Sequence, residues 1–255
     1  MNDTAAPPQD QTIVRAATVI VFRSGSEGVP EILMVQRSAQ LSFAGAAVVF
    51  PGGKIAPADE KQAAGFPAIP TDEAAARIAG IREVLEETGL ILATHEKAGA
   101  QAAIDARAML MHDEDLAPVL DRFGWTLDLD QLVPFARWVP TFKPGRIFDT
   151  RFYLADLGSG RVDLTPDLGE NTRLFWASAK QALDMIEMDE IKAIYPTRRN
   201  LERLARFASF AEAKEHALNT PMDPISPWVD GDMLRIPEGA GYPVTIAPLS
   251  QIRIS

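Results

Sequence analysis

The sequence predicts an α/β fold in which a mixed β-sheet lies between helices. Apolar residues make up 47% of the 255 positions, enough for a sizeable core and too many for disorder throughout. Strand-like β-branched runs and amphipathic helical stretches alternate without a regular βαβ period, which favours a mixed sheet over a doubly wound parallel one. Neither an internal repeat nor a low-complexity tract interrupts this pattern.

The elements follow in order. Residues 1–12 (MNDTAAPPQDQT) read as a flexible arm and residues 13–255 as one domain. Residues 16–23 (AATVIVFR) and 31–37 (EILMVQR) are β-branched or apolar runs separated by a Gly/Ser/Pro turn, and they read as a hairpin. A third apolar run at 46–50 stops at Pro51-Gly52-Gly53, and a polar, Pro- and Ala-rich stretch up to about 70 reads as a loop. Thr71, Asp72 and Glu73 then provide the cap and first-turn acids of a helix that ends at Thr88, with Gly89 suited to the position after it. Ala74, Ile78, Ile81 and Leu85 form a core-facing stripe on that helix. Helices are expected near 98–111 and 113–123, strands at 132–139, 150–157 and 172–177, and a helix near 178–188. A long helix should open at Pro196, a favourable first-turn residue, and give a helical extension over about 196–218. The Pro- and Gly-rich remainder reads as loops and short strands closing over the domain.

Composition excludes several classes of function. A net charge of −10 argues against a broad nucleic-acid or anionic-membrane footprint, since phosphate backbones are gripped by clustered Lys and Arg. A small nucleotide is easier to accommodate, provided that metal ions or a few arginines reverse the sign locally. There is no cysteine, so disulfides, thiolate metal sites and cysteine nucleophiles are out. No apolar run of about 18 residues and no basic, apolar N-terminal leader is present, and a soluble cytoplasmic protein is expected. GxSxG, Walker A and GxGxxG patterns are also missing. His95, His112 and His216 have no metal-ligand spacing and read as surface or helix-end residues, while Trp138 and Phe148 read as core.

The segment richest in chemistry is Arg82-Glu83-Val84-Leu85-Glu86-Glu87-Thr88-Gly89-Leu90. On a helix, Glu83, Glu86 and Glu87 stand at i, i+3 and i+4, which brings three carboxylates onto one face. Such a cluster repels itself unless a divalent cation neutralises it, and hard oxygen ligands suit Mg²⁺ or Mn²⁺. Arg82 is placed to pair with one carboxylate and set its rotamer.

Together with Phe50-Pro51-Gly52-Gly53-Lys54-Ile55, this segment resembles the signature of the Nudix hydrolase family, in which a strand, a glycine loop and a helix form a metal site. The resemblance implies a Nudix-like α/β/α sandwich, with Glu83, Glu86 and Glu87 as metal ligands and a loop glycine carbonyl, from Gly52, beside them. It also implies a pyrophosphohydrolase, with Arg82, Glu86 and Glu87 as catalytic residues. Gly53 and Arg82 are 29 positions apart, about 15 more than in the usual box, so an insertion of about 56–71 interrupts it. Asp59 falls where the box expects its first glutamate. Chain length in a loop whose ends are fixed costs little, so the site tolerates the insertion. Glu170, six residues before Trp176, resembles the late glutamate of MutT-type members and is the candidate for a further catalytic acid.

The interrupted box and Phe-Asp-Thr-Arg-Phe at 148–152 resemble the coenzyme A diphosphatase branch, although Ser42 and Ala46 stand where its recognition motif has arginine and glycine. Coenzyme A or its esters, ADP-ribose-like sugars and dinucleoside polyphosphates are the competing substrates. Arg37, Arg146 and Arg151 are the candidates for gripping phosphate. The rival from another class is a non-catalytic nucleotide-binding module. A homodimer is compatible with the resemblance.

Overall fold

The structure, a computed structural model, describes residues 12–25, 28–38, 46–141, 145–158 and 171–252. Its centre is β1 (Thr12–Ser24), flanked antiparallel by β2 (Pro30–Arg37) in the expected hairpin and parallel by β6 (Arg146–Asp156). With β3 (Ala47–Val49), β5 (Val133–Trp138), β8 (Lys192–Ala193) and β9 (Pro224–Ile225), the main path runs β8-β3-β2-β1-β6-β5-β9. Two further strands branch from it: β4 (Gly52–Lys54) pairs with β1, and β7 (Asn171–Ala177) pairs with β2. Parallel and antiparallel pairs coexist, so the sheet is mixed, as the irregular order of elements predicts.

Alternation along the strands divides the core between two faces. Ala17, Val19 and Val21 of β1 enter one apolar cluster, and Ile20 and Phe22 enter the other, as a period of two requires of a strand covered on both sides. The first cluster is closed by α2 (Thr71–Thr88), α3 (Ala100–Asp113) and α4 (Leu116–Phe123). The second is closed by α5 (Ala179–Glu187), α6 (Tyr195–Leu204) and α7 (Phe210–Leu218). This is the α/β/α sandwich. A small sheet of β10 (Trp228–Asp230), β11 (Met233–Arg235) and β12 (Ile246–Pro248) forms from the Pro- and Gly-rich end.

Helix α2 has the bounds expected of it, with Gly89 left-handed at φ 78° after its last turn. Its midpoint, Gly80, lies directly on β1: a Cβ there would stand 2.8 Å from Val19 Cγ2. That close approach lets α2 cross the sheet from β6, where Arg77 faces the Tyr153 ring, to β4, where Glu83 and Glu87 meet the glycine loop.

Three expectations are corrected. The stretch read as an inserted loop contains α1 (Pro57–Ala63), which starts on a proline, has Asp59 and Glu60 in its first turn, and is closed by Ala56 N–H donating to Asp59 Oδ2 at 2.7 Å. The single helix expected from Pro196 is two, α6 and α7, because Ser209 restarts the chain: its Oγ accepts from Glu212 N while Ala208 N donates to Glu212 Oε2. The strand expected at 150–157 begins earlier, at Arg146, since β1 pairs with it from Thr12 onwards. Residues 1–11 of the expected arm lie outside the described residues. Among the described residues no helix is long and apolar enough to cross a membrane.

Candidate active site

The site is a corner where β4, α1 and the second half of α2 meet. The loop before β4 is fastened to β1 by Val19 N donating to Pro51 O at 2.9 Å, and the loop after it by Ile55 N donating to Arg15 O at 3.0 Å. Gly52 is required by contact with the β1 backbone, and Gly53 leaves room for a carboxylate. A Cβ on Gly52 would lie 2.3 Å from Ala17 O, and one on Gly53 would lie 2.3 Å from the Glu83 carboxylate. The Pro-Gly-Gly punctuation therefore makes room for an acid on the facing helix.

Arg82 organises the acids around it. Its Nε and Nη2 donate to the two Asp59 oxygens at 3.0 and 3.1 Å, Nη2 also donates to Lys54 O at 2.8 Å, and Nη1 donates to Glu86 Oε2 at 3.0 Å and lies 3.0 Å from Glu83 Oε1. Arg82 is 5% and Asp59 1% exposed, so this is a buried bidentate pair, a geometry in which loss of one partner costs about 3–5 kcal/mol. Burial alone would weaken the guanidinium's hold on its proton, but the Asp59 hydrogen bond and the charges of Glu83, Asp59 and Glu86 raise it well above the usual arginine range. Asp59 thus ties α1, inside the insertion, to the box helix. Arg82 braces the acids from behind.

Glu87 is held from two sides: Gly52 N donates to Oε2 at 2.9 Å and Asn171 Nδ2 to Oε1 at 3.2 Å. The backbone of α2 is steadied nearby by Arg107 Nε on Glu86 O at 2.9 Å. Burial pushes the Glu83 carboxyl up to about 8, against the pull of Arg82 and with the like charges of Glu86 and Glu87 adding to it. Glu86 is raised in the same sense by burial, with Arg82 opposing and Asp59 and Glu114 adding. The three glutamates share one neighbourhood, but their oxygens are turned toward Arg82, Gly52 and Asn171. Among the described residues no three acidic or histidine side chains are gathered into a preformed cage. The donor set still fits a hard divalent cation: carboxylates that burial and mutual repulsion hold against ionisation, around a glycine cradle that a Cβ would fill.

Of the other residues predicted for the site that lie among the described residues, Arg37 alone is brought near, at the end of β2 in register with Asn171. Arg151 is held instead by Glu73 at 2.7 Å and Asp72 at 2.5 Å, in the first turn of α2. The glutamates lie ten or more residues further along the same helix, about 15–20 Å away at 1.5 Å per residue. Arg146 is exposed and pairs with Thr12, whereas Gly52 pairs with Thr18 of the same strand. Glu170 lies outside the described residues, as does Ser42. Sequence reading missed Asn171 and Arg107, which reach the site only through tertiary contacts. For Asp59 the signal was present, a proline followed by acids, but its partner lies 23 residues on.

No protein-family model matches the chain. It is 25% identical over 277 residues to the acyl-coenzyme A diphosphatase NUDT19 of Gallus gallus, covering 84% of this chain and 73% of that protein. It is 24% identical over 250 residues to the protein of the same name from Homo sapiens, covering 78% and 66%. The crystal structure of a Nudix hydrolase from Alicyclobacillus acidocaldarius superposes with a TM-score of 0.70 at 29% identity, covering 80% of this chain and 96% of that one. With the sandwich, the glycine loop and the RExxEExG helix, the chain is similar to the Nudix hydrolases, and these likenesses support an enzyme that cleaves the pyrophosphate bond of a substrate built on a nucleoside diphosphate. Within that class it resembles the acyl-coenzyme A diphosphatases. Nudix hydrolases act on small molecules and work with divalent cations.

Proposed function

We propose that the substrate is coenzyme A or an acyl-coenzyme A, cleaved at its pyrophosphate. The observation that carries this reading is the extent of the likeness to two acyl-coenzyme A diphosphatases, over 84% and 78% of the chain. The insertion belongs to it, because α1 delivers Asp59 to Arg82 and so restores the brace that an interrupted box would otherwise lose. Mg²⁺ or Mn²⁺ is the cation in this reading, held by Glu83, Glu86, Glu87 and the Gly52 carbonyl. Bound there, it neutralises charge on the pyrophosphate oxygens and makes the attacking water more acidic.

The chain's own groups have separate tasks in this proposal. Gly52 N and Asn171 hold Glu87 in one orientation, and Arg82 does the same for Glu83 and Glu86. Arg37, in register with Asn171, is the guanidinium assigned to a phosphate oxygen in this reading, and Glu170 is its candidate for a further acid. The test is incubation of the protein with Mg²⁺ or Mn²⁺ and a panel of coenzyme A, acyl-coenzyme A, ADP-ribose, NADH and diadenosine polyphosphates, with products resolved by chromatography. Release of 3′,5′-ADP and 4′-phosphopantetheine is expected. Preferential turnover of another member of the panel would replace the substrate.

A further inference from the structure

We propose that Asn171 is a positioning residue for this reaction, set by a β-bulge to fix the Glu87 carboxylate in the orientation that metal binding uses. The inference rests on the metal-site reading above and deepens it.

Where β7 pairs with β2, the register runs Gln36 with Arg173 and then Arg37 with Asn171, so Thr172 is left over as a bulge. In a regular strand Asn171 and Arg173 would share a face. Here Arg173 and Thr172 are both exposed while Asn171 is 1% exposed. The bulge has turned the asparagine inward, toward α2, and re-aiming a side chain is what bulges next to active sites do. Its Nδ2 then meets Glu87 Oε1 at 3.2 Å, opposite the Gly52 N–H on Oε2. With one donor on each oxygen, the carboxylate plane is fixed, while each oxygen keeps a lone pair for a cation.

The residue type suits the task. A lysine or arginine in this place would compete with the cation, and an aspartate would add repulsion to three glutamates, whereas a neutral amide orients Glu87 without changing the charge. A purely space-filling role is a poor account of the same facts. Asn171 Oδ1 is buried with no partner among the described residues, and so is Nε of Arg37, its neighbour across the bulge. An apolar side chain would avoid that cost.

The test uses the whole 255-residue chain. Mn²⁺ binding without substrate is read from the electron paramagnetic resonance of free Mn²⁺, and kcat and KM are measured with coenzyme A. Asn171→Leu, of similar shape but with no donor, and Asn171→Ala, which introduces no clash, are each expected to weaken Mn²⁺ binding about 10–100-fold. In both, kcat should fall while KM for coenzyme A stays within about twofold, with circular dichroism as in the wild type. Thr172→Ala, at the exposed bulge, should match the wild type. Wild-type Mn²⁺ affinity and kcat in both Asn171 variants, with both lost in Glu87→Gln, would overturn the role of Asn171 and leave the site standing. Wild-type Mn²⁺ affinity in Glu87→Gln as well would overturn the metal site and this proposal with it. Failure to turn over coenzyme A by the wild type would remove only the substrate, since the Mn²⁺ titration still decides on Asn171.

Discussion

The two faces of the sheet handle buried charge in opposite ways. On the α2 face, Asp59, Glu83 and Glu86 share one guanidinium, Arg82, and Glu87 stands beside them on the neutral donors Gly52 N and Asn171, so carboxylates outnumber the arginine that pairs with them. On the α6 face, Arg203 is 1% exposed and has neutral partners: its Nη1 donates to Phe135 O at 2.8 Å, its Nε donates to His216 Nε2 at 3.2 Å, and its guanidinium lies 3.9 Å from the Phe135 ring centroid. Beside it, Tyr242 OH accepts from Trp138 Nε1 and donates to Asn200 Oδ1. A carbonyl, an imidazole and a ring hold this cation without any carboxylate, and its Nη2 has no hydrogen-bond partner among the described residues. The acids have no such internal solution, and a surplus that protein groups leave uncompensated is where an added cation gains most.

Removing a proposed metal ligand should have the largest effect. Glu86→Gln and Glu87→Gln are each expected to lower metal-dependent kcat by about 10²–10⁴-fold with an unchanged circular dichroism spectrum. Normal turnover in both would dissolve the contrast between the faces. Next comes the brace: Asp59→Asn leaves Arg82 buried beside fewer charges and should cost about 3–5 kcal/mol in urea unfolding. A cost near zero would mean that α1 is not tied to the box through this pair.

The pH dependence sharpens the comparison further, because the two faces carry opposite signs. Glu83 has a folded pKa near 8 against an ordinary 4.5, so between those values the folded state holds a proton that the unfolded state has lost. The metal-free protein should therefore lose stability as pH rises through that window. Glu83→Gln should raise the metal-free Tm at pH 8 by about 2–4 °C for each kcal/mol relieved, with little change at pH 4.5, and Mn²⁺ should stabilise the wild type more than the variant. His216 is lowered from 6.5, by burial first and then by Arg203 and Arg206. Here the unfolded state binds the extra proton, so stability is lost as pH falls below about 6.5. His216→Gln keeps an acceptor for Arg203 without titrating, and should flatten that acid limb by the smallest amount of the series. Identical Tm profiles for His216→Gln and wild type below pH 6 would show that the Arg203–His216 contact contributes nothing to it.

Helix α2 was legible almost to the residue because its first-turn acids, its apolar stripe and its terminal glycine are all local signals, although Thr71 is its first residue and not its cap, which is Pro70 with no side-chain hydrogen bond. The break between α6 and α7 was equally local, in Ser209 and Glu212, but a favourable proline at the start of the stretch masked it. Helix α1 was hidden for a similar reason: alanine and proline in a polar stretch read as loop until Asp59 is seen closing its first turn. The glutamates and the glycines could be selected from spacing, whereas Arg151 could not be excluded as a phosphate ligand until its ion pairs with Asp72 and Glu73 were seen.

The sequence by itself determined the fold class, the bounds of the box helix and the identity of the acids, since capping, periodicity and i, i+3, i+4 spacing act within a few residues of chain. Only the tertiary structure decided what each acid touches. Asp59 and Arg82 are separated by 23 positions, Gly52 and Glu87 by 35, and Asn171 and Glu87 by 84. Contacts at such separations depend on how α2 crosses the sheet over Gly80 and on one bulge opposite Gln36 and Arg37, and no local propensity encodes either.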